Sequence, residues 1–354
     1  MRLNTFVHIS DIHFSDSNND SKALILYAAL PKLDGFLGHS YQSLTMLDEF
    51  FADMVDKEEA ELILTGDITR VGAVLEFDMA RTYLERELVP PQGYFIGLRE
   101  SNWLTRAIPG NHDHYPGIPM LIGGPTGGLA ATFPNPKLPR VVTSDLGSEG
   151  HELTFLLINT DADVPALHPN RFAARGSFVS QIDKLEKQLG KKRPKEIRIL
   201  CLHHSRAQRG PMLEMDQSSR DRLSNFILEY GIAVLLSGHI HEPPLVRMET
   251  AVNTEDDTVF ADYLEARCGT TTQRNLFHIP YYWRRMLHNL HIKKRGHWSN
   301  TLLVHRISRE DGAIIWESDL FMETPQGFAP APPTHRYCMG NPRVRLWPPP
   351  VVAI

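Results

Sequence analysis

"TFVHISDIHF", residues 5–14, is the stretch on which the fold turns. A short apolar run ends in Asp11 and His13, two polar residues one position apart. The run has the length and the branched side chains of a buried strand, so the polar pair falls where the chain leaves it. Residues i and i+2 of an extended segment point the same way, and Asp11 and His13 can therefore offer two groups to one ion.

The same pattern recurs downstream. "AELILTG" (60–66) runs into Asp67, and "WLTRAIPG" (103–110) runs into Asn111 and His112. "LTFLLINT" (153–160) follows, "EIRILCLHH" (196–204) closes on His203 and His204, and "IAVLLSG" (232–238) leads to His239 and His241. Between these runs lie helical patterns. Residues 43–60 place Leu44, Leu47, Phe51, Met54 and Val55 on one face, and 73–88, 180–192 and 219–231 behave alike. Strands alternating with helices predict an α/β fold, in which ligands gather beyond the carboxyl ends of strands.

Later the style changes. "FADYLEARCGTTT" (260–272), "NTLLVHRIS" (300–308) and "AIIWESDLFM" (313–322) read as successive strands, with an "EDG" turn between the last two. A sheet completed by antiparallel hairpins is expected. One domain is expected over 1–322, with insertions near 14–42, 114–150 and 273–299. Residues 323–354 hold "APAPP" and "WPPP" and are expected as a proline-rich tail, outside any helix or central strand.

Composition bounds the function. Of 354 residues, 42% are hydrophobic and 22% charged, which suits a packed core and excludes a disordered chain. The net charge of -5 argues against general affinity for nucleic acid. Cys201, Cys268 and Cys338 are too few for a disulfide framework, and a reducing compartment fits them. The N-terminus lacks the pattern of a signal peptide, and no segment approaches the roughly 18 apolar residues of a membrane span. A cytoplasmic location is the expectation. Oligomeric state is not legible.

Asp11, His13, Asp67, Asn111, His203, His239 and His241 pool oxygen and nitrogen donors without a thiolate. That set suits manganese, iron or zinc, and also cobalt or nickel. Seven ligands are too many for one metal, whereas two metals sharing a carboxylate would use them all. Gly66, Gly110 and Gly238 each precede a candidate ligand, where the chain must turn and approach closely. His8, His39, His151, His168, His278, His288, His291, His305 and His335 belong to no such motif and are assigned to core or surface.

Five blocks in this order, "DIH", "GD", "GNHD", "LHH" and "GHIH", resemble the calcineurin-like metallophosphoesterase family over roughly residues 1 to 320. "GDITRVGAVLEFDMARTYL", "NTDAD" and "VSQIDKLEKQL" are similar to its cyclic-nucleotide and glycerophosphodiester phosphodiesterase branch. The resemblance implies a four-layer α/β/β/α sandwich of two mixed β-sheets flanked by helices. It also implies two divalent or trivalent metal ions (Mn, Fe or Zn). Asp11, His13 and His241 would hold the first metal, and Asn111, His203 and His239 the second, with Asp67 bridging. Phosphodiester hydrolysis by metal-bridged hydroxide would follow, monoesters being further substrates. His112 would protonate the leaving group or bind the phosphoryl oxygen. Alternatives are a nuclease-like or phosphomonoesterase member, or a binding module that keeps the fold.

The protein-phosphatase branch carries a second aspartate three residues after the bridging one, where this chain has Arg70. Arg70 is read either as a contact to substrate phosphate or as a surface arginine opening the next helix. His204 is a second candidate beside the substrate. Asp113 is expected to brace its loop, and His114 has no assigned role. A small phosphate ester is the expected partner. The aromatics and the cations Arg284, Arg285, Lys293, Lys294 and Arg295 within 281–298 raise nucleic acid as an alternative, with a capping insertion preferred.

Overall fold

The computed structural model describes residues 1–15, 38–91, 93–115, 129, 132, 138–147, 150–165, 174–208, 213–240, 244–255, 260–273 and 300–339. Its strands are β1 (Arg2–Ile9), β2 (Glu61–Thr65), β3 (Ala107–Ile108), β4 (Arg140–Asp145), β5 (Glu152–Leu157), β6 (Glu196–Cys201), β7 (Ile232–Ser237), β8 (Leu245–Val252), β9 (Phe260–Arg267), β10 (Thr301–Glu310), β11 (Ala313–Thr324) and β12 (Gly327–Met339). They form two mixed sheets, ordered β12-β11-β10-β1-β2-β3 and β4-β5-β6-β7-β9-β8. β1 pairs parallel to β2 and antiparallel to β10, so the first strand lies between the second and the tenth.

Alternation along the strands assigns the layers. Phe6 of β1 and Ile63 of β2 face Phe155, Ile199, Val234 and Leu264 of the other sheet. Val7, Ile9, Leu62 and Leu64 point the opposite way and meet helices α1 (Tyr41–Glu58) and α2 (Val74–Glu85). Leu156, Leu200 and Leu235 likewise meet α3 (Val179–Glu186) and α4 (Gln217–Tyr230). Helices thus flank two packed sheets, as the family resemblance implied.

Each helix forms where its pattern and caps agree. In α1, Leu44, Leu47, Phe51 and Met54 are buried at helical spacing, each contributing about 1.5–3 kcal/mol. Ser40 caps its start by accepting from the Ser43 N–H, and Glu59 closes it in the left-handed region. Asp216 caps α4 by accepting from the Ser219 N–H, and Gly231 ends it at φ 60°.

Four elements differ from expectation. "WLTRAIPG" is a 3₁₀ turn (Trp103–Arg106) followed by only two strand residues, because Trp103 and Arg106 turn inward to pack and pair. β4 and β8 were not anticipated: both are half-exposed edge strands whose outward polar positions dilute the apolar signal. Part of the proline-rich stretch expected as a tail over 323–354 is instead strand, since residues 327–339 pair with β11 as the edge strand β12. An edge tolerates Pro330, Pro332 and Pro333, because one row of backbone groups faces away from any partner. Residues 340–354 and the insertion residues 16–37, 116–128 and 274–299 lie outside the described residues, and the nucleic-acid expectation for 281–298 lies there with them.

His8 and His305 fall in the layer between the sheets, where they are core residues as expected. His8 Nδ1 meets His305 Nε2 at 3.2 Å, and His8 Nε2 meets Thr65 Oγ1 at 2.9 Å. His305 Nδ1 lies 2.8 Å from Ser318 Oγ, which also accepts from the Trp316 indole. Burial pushes His8 down to about 3 from its ordinary 6.5 and holds His305 well below its usual value. The unfolded chain therefore binds a proton that the folded chain refuses between these limits. Stability from neutral His8 is present above pH 6.5 and declines as pH falls toward 3. His8→Gln should cost about 1–3 kcal/mol at pH 7.5. That cost should shrink by about 1.4 kcal/mol per pH unit below 6.5 in urea unfolding. A cost independent of pH would contradict the neutral, buried assignment.

Candidate active site

Six of the expected ligands lie among the described residues, and the strand ends bring them together: Asp11, His13, Asp67, Asn111, His203 and His239. His241 lies outside the described residues. Where β1 ends, the Asp11 N–H donates to Gly66 O and the His13 N–H to Asp67 O, both at 3.0 Å. The loops after β1 and β2 therefore run side by side. The Asp11 carboxylate accepts from the His239 N–H at 3.0 Å, which draws in the loop after β7.

Asp67 is common to two clusters. His13, Asp67 and His112 each present one donor atom within 4.8 Å of the others, and Asp67, His203 and His239 do the same. Asp67 Oδ2 stands 3.3 Å from His203 Nε2 and 3.9 Å from His112 Nε2, while Oδ1 accepts from the His112 N–H at 2.8 Å. Burial favours the protonated carboxyl, but His203, His112 and His13 outweigh it and hold Asp67 well below the carboxylate range.

His203 supplies the test of fit for a cation. Its Nδ1 lies 2.7 Å from Thr65 O, so Nδ1 is the N–H donor and a neutral ring carries a lone pair on Nε2. That lone pair faces Asn111 Oδ1 at 3.2 Å and Asp67 Oδ2 at 3.3 Å, two oxygens that can only accept. His239 Nδ1 stands 3.2 Å from the same nitrogen, so a proton or a cation placed here would meet all four groups. With the proton, Asp67 overcomes the effect of burial and pushes His203 up to about 10. Buried oxygen and imidazole donors without thiolate suit a divalent metal in its place.

Four of these residues take backbone conformations that side chains seldom adopt: Asp11 at φ 54°, His13 at 56°, Asp67 at 50° and His239 at 74°. Such strain costs on the order of 1–3 kcal/mol per residue and persists only where the surroundings impose it. The surroundings include a threonine clip. Thr270 Oγ1 donates to Asp11 O at 2.9 Å, and Thr272 Oγ1 donates to Ile12 O at 3.1 Å. Thr271 Oγ1 accepts from the Ser10 N–H at 3.1 Å and its own N–H returns to Ser10 O. Two glycines serve close approach. A Cβ on Gly66, at φ 100°, would lie 2.5 Å from His203 Nδ1, and one on Gly110 would lie 2.2 Å from Asp67 Oδ1.

His112 rests at the side of the cluster, slightly exposed, its ring centroid 4.6 Å from that of His13. Its Nδ1 lies 2.7 Å from the carbonyl oxygen of Arg70, so Nδ1 is the donor and Nε2 is the nitrogen turned toward Asp67. Asp113 is buried and accepts from the N–H groups of Ile68, Thr69 and Gly110 and from Thr69 Oγ1. Burial pushes it up to about 7. It braces the loop.

Two expected substrate contacts are engaged elsewhere. The Arg70 guanidinium pairs with Glu76 at 3.3 Å. His204 is fully buried, with Nδ1 2.8 Å from Thr160 Oγ1 and Nε2 3.2 Å from Ala174 O. Its ring packs against His239, the centroids 4.2 Å apart, so it backs a candidate ligand. His114, which had no assigned role, meets Asn159 Oδ1 at 3.1 Å and ties "NTDAD" to the Asn111–His114 loop. The sequence reasoning missed Thr65, Glu76 and the threonine clip. Three consecutive threonines at the exit of a strand were the available signal for the clip.

A four-layer sandwich whose strand ends pool buried oxygen and imidazole donors defines a metal-binding class of hydrolase. The chain belongs to the calcineurin-like phosphoesterase family, whose sequence model matches residues 5–243. Metal-dependent hydrolysis of phosphoesters is the activity of that family, and divalent metal ions are its cofactors. Among solved structures, the chain is similar to a candidate 5′-nucleotidase from Staphylococcus aureus, at 12% identity and a TM-score of 0.40 over 87% of this chain. It spans about half (51%) of that protein's length. It is also similar to PhoD, at 11% identity and a TM-score of 0.48, covering 96% of this chain and 70% of that one. No curated protein sequence matches it.

Proposed function

We propose that the chain is a phosphodiesterase that uses two metal ions, with His112 as general acid. The observation that carries this is Asp67: one buried carboxylate is shared by two donor clusters. Asp11 and His13 would hold one ion, with His241 as the further ligand carried over from the sequence motif, and Asn111, His203 and His239 the other. When bound, the metals supply an activated water and neutralise charge on the phosphoryl oxygens. The protein supplies the rest. The Arg70 carbonyl commits Nδ1 of His112, so a protonated ring has only its Nε2 proton to give to the departing oxygen.

Diester specificity is supported by the likeness of "GDITRVGAVLEFDMARTYL" to the cyclic-nucleotide and glycerophosphodiester branch. No helix among the described residues is long and apolar enough to cross a membrane. Free Cys201 and Cys268, both buried, agree with the proposed cytoplasmic location.

Purified protein with Mn²⁺ should hydrolyse bis-p-nitrophenyl phosphate faster than p-nitrophenyl phosphate. Folded, metal-loaded protein inert toward both would overturn the enzyme assignment, and a faster monoester would overturn diester preference. His112→Ala should retain metal while losing roughly a hundredfold or more in kcat on diesters of poorly acidic alcohols. Its loss on p-nitrophenyl esters should be smaller, because that leaving group departs without a proton. Equal losses on both would sink the acid role.

A further inference from the structure

Residues 68–73 leave β2 and have no strand or helix to receive their backbone N–H groups. All six are nevertheless engaged. Ile68 and Thr69 donate to the Asp113 carboxylate, and Arg70 donates to Phe14 O at 2.9 Å. Gly72 donates to Thr69 Oγ1 at 3.1 Å. Val71 and Ala73 donate to one oxygen of Glu76, at 2.8 and 3.4 Å, while its other oxygen accepts from Arg70 Nε at 3.3 Å. Glu76 is completely buried at the start of α2. Burying a carboxylate is costly unless it is well bonded, so its three contacts from the 70–73 turn fix that turn against the helix.

The turn has one consequence for the site. Its Arg70 carbonyl is the acceptor for His112 Nδ1, at 2.7 Å. We propose that Glu76 is a positioning residue for His112: by clamping the 70–73 turn it aims the Arg70 carbonyl, which holds the imidazole with Nε2 toward the Asp67 carboxylate. A main-chain oxygen thereby holds His112 at the position where the protein-phosphatase branch carries its second aspartate. Among the described contacts, the Arg70 side chain joins this arrangement through Glu76. This inference rests on the reading of His112 as general acid.

The test compares wild type with Glu76→Ala, Glu76→Gln and Arg70→Ala, each loaded with Mn²⁺ for kinetics. Glu76→Ala should lower kcat on alkyl diesters by roughly a hundredfold, the cost of misplacing a group by about 1 Å. On bis-p-nitrophenyl phosphate it should lose far less, with KM and bound manganese unchanged. Glu76→Gln keeps an acceptor for Val71 and Ala73 and should recover most of the loss. Arg70→Ala retains the carbonyl and should cost less than Glu76→Ala, again with KM unmoved.

A second readout is the tautomer of His112, from ¹⁵N NMR of the metal-free protein, assigned with His112→Gln. Wild type and Glu76→Gln should carry the proton on Nδ1, and Glu76→Ala should show a mixture. Equal losses on both leaving groups, a raised KM in Arg70→Ala, or an unchanged tautomer in Glu76→Ala would each overturn the proposal. Should Glu76→Ala fail to fold, an Nε2–H tautomer in wild type would overturn it and an Nδ1–H tautomer shared with Glu76→Gln would support it. A wild type inert toward all esters would remove the proposed function, leaving the tautomer to decide the positioning role alone.

Discussion

Asp67→Asn should emerge from purification with little bound metal and should hydrolyse diesters roughly a thousandfold more slowly than wild type, or worse. Asparagine is nearly isosteric and keeps an oxygen to accept from the His112 N–H, now at 2.8 Å. It replaces the other oxygen by an amide NH₂, placed where His203 Nε2 stands at 3.3 Å. More decisively, it removes the one negative charge shared by both donor clusters. Two cations held by imidazoles and a neutral amide, with Asp11 alone contributing charge, would repel each other. Loss of the metals removes several kcal/mol of transition-state stabilisation, and each 1.36 kcal/mol is about tenfold in rate. Elemental analysis with parallel kinetics decides the matter. Full metal content with near-normal turnover would contradict the bridging role.

Gly110→Ala should be nearly as severe without touching a ligand. The added methyl would lie 2.2 Å from Asp67 Oδ1, 2.5 Å from Asp67 N and 2.7 Å from His203 Cε1. Two of these contacts are the buried side chains of Asp67 and His203 and the third is backbone, so no flexible group can yield. Overpacking of this kind costs about 1–3 kcal/mol of stability. Relief would displace Asp67 and His203, and a shift of about 1 Å in such a site costs roughly a hundredfold in turnover. Gly190→Ala is the control, since a Cβ there meets nothing within 4 Å. Its melting temperature and kcat should match wild type, while both should fall in Gly110→Ala. Equal behaviour of the two variants would show that the loops give way more easily than their packing indicates.

That these polar residues gather at the strand ends could be read from the sequence because strand ends are punctuated. An apolar run stops at Ile9, Thr65 or Ser237, and a polar residue stands where the chain must turn. Residues acting through their backbone leave no such mark. The carbonyls of Thr65 and Arg70 orient His203 and His112, and any residue type carries a carbonyl. Glu76 was hidden for a different reason. It occupies a helical position like any exposed acid, and only the path of the preceding turn shows that it is buried. The edge strands β4, β8 and β12 escaped because pairing on one side alone demands little of composition.

The place of β1 between β2 and β10 has a consequence for the order of assembly. The Asp11–His13 loop leaves β1 early in the chain, yet the Thr270 hydroxyl that holds the Asp11 carbonyl lies 259 residues further along. β10, which completes the pairing of β1, comes later still. On the ribosome, helices α1 to α4 and the parallel strands can gather by local steps, and the loop after β2 can pair with the Asp11–His13 loop early, but the threonine clip cannot close on it until the last third of the chain has emerged. If the proposed ligands hold metal, its capture would be a late event of biogenesis. A nascent chain would display its histidines long before it could grip an ion with them.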